Sequence, residues 1–128
     1  MIIDTSALVA VILGEPDAEA HLRAMSTADD LSVSASTLVE ALIVVEARQG
    51  PEASADLQAL LADLEATVVP FDEDQANAAA GAWARFGKGR HPASLNLGDT
   101  FSYALARTTG EPLLFKGDDF SKTDVARA

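Results

Sequence analysis

Three short apolar segments, at residues 1–3, 67–70 and 112–115, and one weakly alternating segment at 31–34 punctuate this chain of 128 residues, with longer stretches of helical spacing between them. Apolar runs this short, bounded by Gly, Pro and Asp, read as strands rather than helices. Strands separated by helices cannot pair through tight hairpins and need crossover connections, which a parallel sheet provides. The chain order reads strand, helices, strand, helices, strand, helix, strand. The expected fold is therefore α/β: a mainly parallel, short-stranded central sheet with helices on both faces, in a single domain over residues 1–128.

The helical segments carry their own signals. Thr5 and Ser6 are placed to cap a helix over 7–13. A turn at 14–17 precedes a polar helix ending near Met25, and Ser36 or Thr37 opens the next one. Gly50 and Pro51 stop that helix and start another, in which Leu57, Leu60, Leu61 and Leu64 follow the i, i+3, i+4, i+7 spacing. Ala76, Ala79, Ala80, Trp83 and Phe86 form one stripe, suited to core or to a subunit contact. The Gly-rich segment 87–92 reads as a loop, and a last helix covers 96–107.

With 48% hydrophobic residues, the chain can bury roughly two-thirds of its unfolded surface around one core. Cysteine is absent, which excludes disulfides, thiolate metal sites and cysteine nucleophiles. The apolar stretch at 7–14 is too short to span a bilayer and no basic segment precedes it. Neither a membrane helix nor a signal peptide is expected, so the cytoplasm is the expected location. A net charge of −11 opposes binding of nucleic acid through bulk electrostatics. Metal ions or a local basic patch would have to draw phosphates in.

Four acidic positions lie far apart in sequence, each beside an apolar segment. Asp4 directly follows the first strand, at the carboxyl edge where ligands of α/β sheets gather. Glu40 lies within a helix on the same face as Ile43, Val44 and Ala47, where a carboxylate needs a partner or a metal. Asp99 falls in the first turn of its helix, a place that also suits the helix dipole. Asp118 and Asp119 follow the last strand. Oxygen-rich clusters of this kind suit a hard divalent cation and phosphodiester chemistry.

Other chemistries fit less well. A dehalogenase-type phosphatase needs two acids flanking one residue after the first strand, and a receiver domain needs a phosphoacceptor after a middle strand; neither pattern is met. His21 is expected on an exposed helix face, and His91 is better placed to touch substrate than to act as a base. The alternative from another class is a non-catalytic acidic module that binds a basic partner.

Together the segments Met1-Ile2-Ile3-Asp4-Thr5-Ser6-Ala7-Leu8, Ser36-Thr37-Leu38-Val39-Glu40, Leu97-Gly98-Asp99 and Leu113-Leu114-Phe115-Lys116-Gly117-Asp118-Asp119-Phe120 resemble PIN-domain ribonucleases. Within that family the similarity is to the VapC toxins of toxin–antitoxin pairs. The resemblance covers essentially the whole chain in order. It implies an endoribonuclease dependent on Mg²⁺ or Mn²⁺, a cognate VapB-type antitoxin, and a homodimer. Carried over by position, Asp4, Glu40 and Asp99 match the acidic triad, with Asp4 and Asp99 as metal ligands. The fourth acid is Asp118 or Asp119. Thr5 and Ser6 match small polar residues that hold the first ligand or a water. Lys88, Arg90, His91 and Lys116 are the cations expected to meet RNA. The exposed half of the 38–45 helix and the 57–64 helix are the expected partner surfaces.

Overall fold

The computed structural model describes residues 1–128. Strand β1 (Ile2–Ile3) leads into α1 (Thr5–Ile12) and α2 (Ala18–Thr27); β2 (Ser32–Ser34) leads into α3 (Ala35–Gln49) and α4 (Pro51–Asp63). Strand β3 (Thr67–Val69) is followed by α5 (Glu73–Phe86) and α6 (Leu97–Thr109), then β4 (Leu113–Leu114) and a 3₁₀ turn at Phe120–Lys122. The strands form one sheet in the order β3-β2-β1-β4. Every neighbouring pair is parallel, with Ile2 opposite both Ser32 and Leu113.

Alternation along these short strands divides the core in two. Ile3, Val33 and Leu114 join a cluster with Leu8, Met25, Val45, Leu57 and Leu61, from α1 to α4. Ile2, Leu113 and Phe115 face the other way, onto Ala82 and Phe86 of α5 and Tyr103 and Leu105 of α6. Successive strand residues point to opposite faces, so a sheet this narrow is covered on both sides. The expected architecture is met. No helix is long and apolar enough to cross a membrane.

Several local expectations are corrected. Of the three residues able to cap α1, Asp4, Thr5 and Ser6, it is Asp4 that does so, its carboxylate accepting the Ser6 N–H. Ser34 caps α3 in the same way, two positions before the expected start, because its hydroxyl accepts from Ser36. On α3 the core stripe is Thr37, Ala41 and Val45. Glu40 is half-buried, while Ile43 and Ala47 face outward. The 57–64 segment forms the end of α4 (Pro51–Asp63) and turns Leu57 and Leu61 into the core, leaving Gln58, Ala59 and Ala62 on its outer face. His21 is buried on α2, not exposed, with Nε2 3.3 Å from Asp17.

The chain end is also tied in. Asp124 accepts the Tyr103 hydroxyl at 2.6 Å and pairs with Arg85 and Arg107, so α5, α6 and the tail share one polar contact. Burial, and then that bond to Asp124, pushes the Tyr103 phenol up to about 12. Arg127 lies over the Phe115 ring, 4.6 Å from its centre. Phe115 itself is 1% exposed and packs against Phe120 at the end of β4. Replacing Phe115 with Ala removes this anchor of the second cluster, and urea unfolding should show a loss of about 3–5 kcal/mol.

Candidate active site

The carboxyl edge of the parallel sheet gathers the ends of β1, β2 and β4, and the acids expected from the sequence are mounted around it. Asp4 follows β1 directly, and its N–H donates to the Leu114 carbonyl of β4 at 3.0 Å. Although charged, it is 3% exposed. Its Oδ2 accepts the Ser6 N–H at 2.9 Å and the Ser6 hydroxyl at 2.6 Å, and its Oδ1 accepts the Ser102 hydroxyl at 2.7 Å. Those donors offset the desolvation of the charge. Ser6 also accepts the Lys116 N–H at 2.9 Å, so one hydroxyl joins the first acid to the turn that carries Asp118 and Asp119.

Asp99 sits at the third position of α6 in a reciprocal cap. Its N–H donates to the Asn96 side chain at 2.9 Å, and its Oδ2 accepts the Asn96 N–H at 3.0 Å. The capping role and a site role therefore coincide on one residue. Its carboxyl is pushed up to about 7, first by burial; the Asn96 N–H pulls the other way, and the negative fields of Asp4, Asp119 and Glu40 add to the rise. Three acids from three other elements thus act on Asp99. Asp118 and Asp119 are both exposed, and of the two it is Asp119 whose field contributes to the rise of Asp99.

Glu40 is brought to α6 by a glycine. A Cβ on Gly98 would stand 1.7 Å from Glu40 Oε2, so only a residue without a side chain lets α3 present this acid against the start of α6. Behind the acids lies a buried hydroxyl bridge. Thr37 Oγ1 is 3.1 Å from Ser102 Oγ, which in turn bonds Asp4. Sequence reading missed both residues. Their signal was spacing: Thr37 precedes Glu40 by one helical turn, and Ser102 follows Asp99 by one, each polar on an otherwise apolar face.

The donor set fits a hard divalent cation. It consists of oxygen atoms only, its carboxyls repel one another, and the buried Thr5 hydroxyl beside Asp4 has no partner in the protein. No three acidic side chains are gathered closely enough to form a metal-ligand group by themselves. A Mg²⁺-type ion keeps several waters and takes only one or two carboxylates.

The expected cations are placed unevenly. Lys116 is committed to Glu15 and to Asp17 (3.1 Å), which hold its ammonium pKa above the ordinary range. In this structure its ammonium is directed to the α1–α2 turn. His91 Nδ1 accepts the Ala93 N–H, and its ring meets the face of Phe86 edge-on, so it serves the loop. The Arg90 guanidinium lies 4.5 Å from the centre of the Trp83 ring, and Lys88 is exposed; neither forms an ion pair. Beside them Trp83, Ala79, Phe71, Phe101 and Leu97 line an apolar groove of about 410 Å³.

A carboxyl raised from 3.8 to about 7 binds its proton more tightly folded than unfolded. Its contribution to stability is complete below the unfolded value and is lost as pH rises through the folded one. Metal-free protein should therefore lose stability from about pH 4 to above pH 7, and Asp99→Asn should flatten that slope in thermal unfolding while keeping the cap. A slope unchanged by the substitution would place the titration elsewhere.

Comparison with known proteins agrees with this geometry. The PIN domain family model matches residues 1–126. The chain is 48% identical over 126 residues to "Ribonuclease VapC" of Mycolicibacterium smegmatis, covering 98% of both chains. It is 47% identical over 129 residues to "Ribonuclease VapC42" of Mycobacterium tuberculosis, covering 100% of this chain and 98% of that one. Among solved structures, the Mycobacterium tuberculosis VapC20 toxin superposes with a TM-score of 0.82 at 19% identity, covering 99% of this chain and 97% of that one. The VapBC2 structure from Rickettsia felis gives 0.76 at 14% identity, covering 99% and 96%. These two show the fold alone; the family match and the close relatives together establish that the chain belongs to the PIN-domain family.

Proposed function

We propose that this chain is a VapC-type toxin: a metal-dependent endoribonuclease of the cytoplasm, using Mg²⁺ or Mn²⁺ and neutralised by a cognate VapB-type antitoxin. The observation that carries the reading is the convergence of three acids on the start of α6 at the carboxyl edge of a parallel sheet: Glu40 abuts Gly98, Asp99 is the next residue, and Asp4 is bonded to Ser102 one turn on. Mutual repulsion at a sheet edge is unfavourable for a structural cluster and useful for one that receives a cation. The relatives named ribonuclease VapC span the same length, and one solved relative is a sarcin-ricin loop cleaving toxin. A module that merely binds a basic partner needs no acid seated against Gly98.

Asp4 and Asp99 are the residues assigned to hold the ion, with Asp119 as the fourth acid in preference to Asp118. The chemistry that a divalent cation supplies when bound is charge neutralisation at the scissile phosphate and a water acidic enough to attack near neutral pH. Glu40, against the start of α6, is assigned to orient the attacking water and take its proton. Thr5 and Ser6 steady the first acid. Lys88 and Arg90, free of acidic partners, are assigned to phosphates beyond the scissile one.

Exposed apolar side chains mark where protein partners dock. Val39 and Ile43 on α3 are 57% and 63% exposed, and Leu97, next to Gly98, is 72% exposed. These surfaces are assigned to the second copy of a homodimer and to the antitoxin.

Two outcomes check the reading. Cleavage of total RNA should require Mg²⁺ or Mn²⁺, stop in excess EDTA, and fall by roughly a hundredfold or more in Asp4→Asn, Glu40→Gln and Asp99→Asn. Turnover that survives chelation would refute the mechanism. Separately, Lys88→Ala combined with Arg90→Ala should raise the KM for RNA and reduce the slope of log KM against log salt by about two. Mn²⁺ affinity measured calorimetrically should stay at the parental value.

A further inference from the structure

Asp4 has almost no hydrogen-bonding capacity left. A carboxylate offers about two lone-pair directions on each oxygen. Those on Oδ2 are taken by the N–H and hydroxyl of Ser6, and one on Oδ1 is taken by the Ser102 hydroxyl. A single direction remains, on Oδ1.

We propose that Ser102, held in turn by Thr37, is a positioning residue that makes Asp4 a one-oxygen ligand and sets the direction of its free lone pair. The inference rests on the function proposed above and deepens it. The direction of the proton chain follows from valence. A carboxylate only accepts, so the one proton of Ser102 goes to Asp4, and its oxygen faces Thr37 as an acceptor. Thr37 therefore donates across the 3.1 Å contact. Both hydroxyl residues are 0% exposed, so water cannot replace either one. Other hydroxyls of α6 behave differently: Thr100, Thr108 and Thr109 donate to carbonyls of the preceding turn. Ser102 instead donates across the fold.

The bridge also spans the elements that matter. Thr37 lies one turn from Glu40 on α3, and Ser102 one turn from Asp99 on α6, while Asp4 ends β1. A displacement of either helix would turn the Asp4 carboxylate. Partners of this kind behind a metal ligand typically change metal affinity by roughly 10- to 100-fold when removed.

The test is Mn²⁺ titration by calorimetry on the full chain, with steady-state RNA cleavage at saturating Mn²⁺. Ser102→Ala should weaken Mn²⁺ binding by roughly 10- to 100-fold while the KM for RNA holds. Thr37→Val keeps the shape and loses the hydroxyl; it should weaken binding in the same direction by less. Thr37→Ser keeps the hydroxyl and should bind as the parent does. Parental affinity in folded Ser102→Ala would overturn the inference and leave the proposed function standing. Equal losses in Thr37→Val and Thr37→Ser would also overturn it, because packing rather than the hydroxyl would then be responsible. If Ser102→Ala does not fold, the two Thr37 variants decide alone. A parent that binds no Mn²⁺ would overturn the proposed function and this inference together.

Discussion

A carboxylate as deeply buried as Asp4 must be met by donors, and the three it receives come from its own helix and from the far end of the chain. The Ser6 bonds double as the cap of α1, so helix start and acid placement are one event. The Ser102 bond draws α6 against β1, and the Ser6 hydroxyl receives the turn after β4. Strand pairing completes the arrangement, because β1 lies between β2 and β4. Elements distant in sequence are held to one point by a charge that cannot be left unpaired.

Charge explains much of the rest. A chain carrying −11 cannot attract RNA by its overall field, and four of its cations are occupied by acidic neighbours: Arg23, Arg85, Arg107 and Lys116. Lys116 stiffens the turn before the last acids instead of reaching outward. Lys88 and Arg90 stand outside any ion pair on the loop that leads into α6, with Arg90 laid on Trp83. Arg48, Lys122 and Arg127 also lack acidic partners but lie on other elements, so Lys88 and Arg90 are the unpaired pair on the loop that leads to Asp99. Surface pairs of the Lys116 kind contribute little to stability, so their value here is one of placement.

The apolar face beside the site follows from the same geometry. Helix α3 must expose Val39 and Ile43 if Glu40 is to reach Gly98 while Thr37, Ala41 and Val45 face the core. A helix presents only one stripe inward, and the residues beside the acid are left outside. Exposed apolar residues and an acid of the site are therefore neighbours on one helix. An antitoxin or second subunit seated there would lie close to the chemistry.

Much of this was legible in the residues alone. Short apolar runs between helical stretches required a parallel sheet, and acids at strand ends and helix starts marked its carboxyl edge, because periodicity and capping are local properties. What stayed hidden was set by contacts distant in sequence. Helical spacing placed Glu40 with Ile43 and Val44, but packing against α1 and α4 turned Ala41 and Val45 into the core instead. Local chemistry offered Asp4, Thr5 and Ser6 as caps, and the need to satisfy a buried charge selected Asp4. His21 looked like one polar residue on a polar helix until the fold buried it beside Asp17. Lys116 had no visible partner in the sequence, and the α1–α2 turn supplies two acids. Asp118 and Asp119 are equivalent in sequence, and only the turn after β4 put Asp119 within the field felt by Asp99. The sequence by itself determined which elements form and which acids lie at their ends; the tertiary structure alone decided which polar groups meet, since a buried hydroxyl such as Ser102 acquires its role only from the charge placed opposite it.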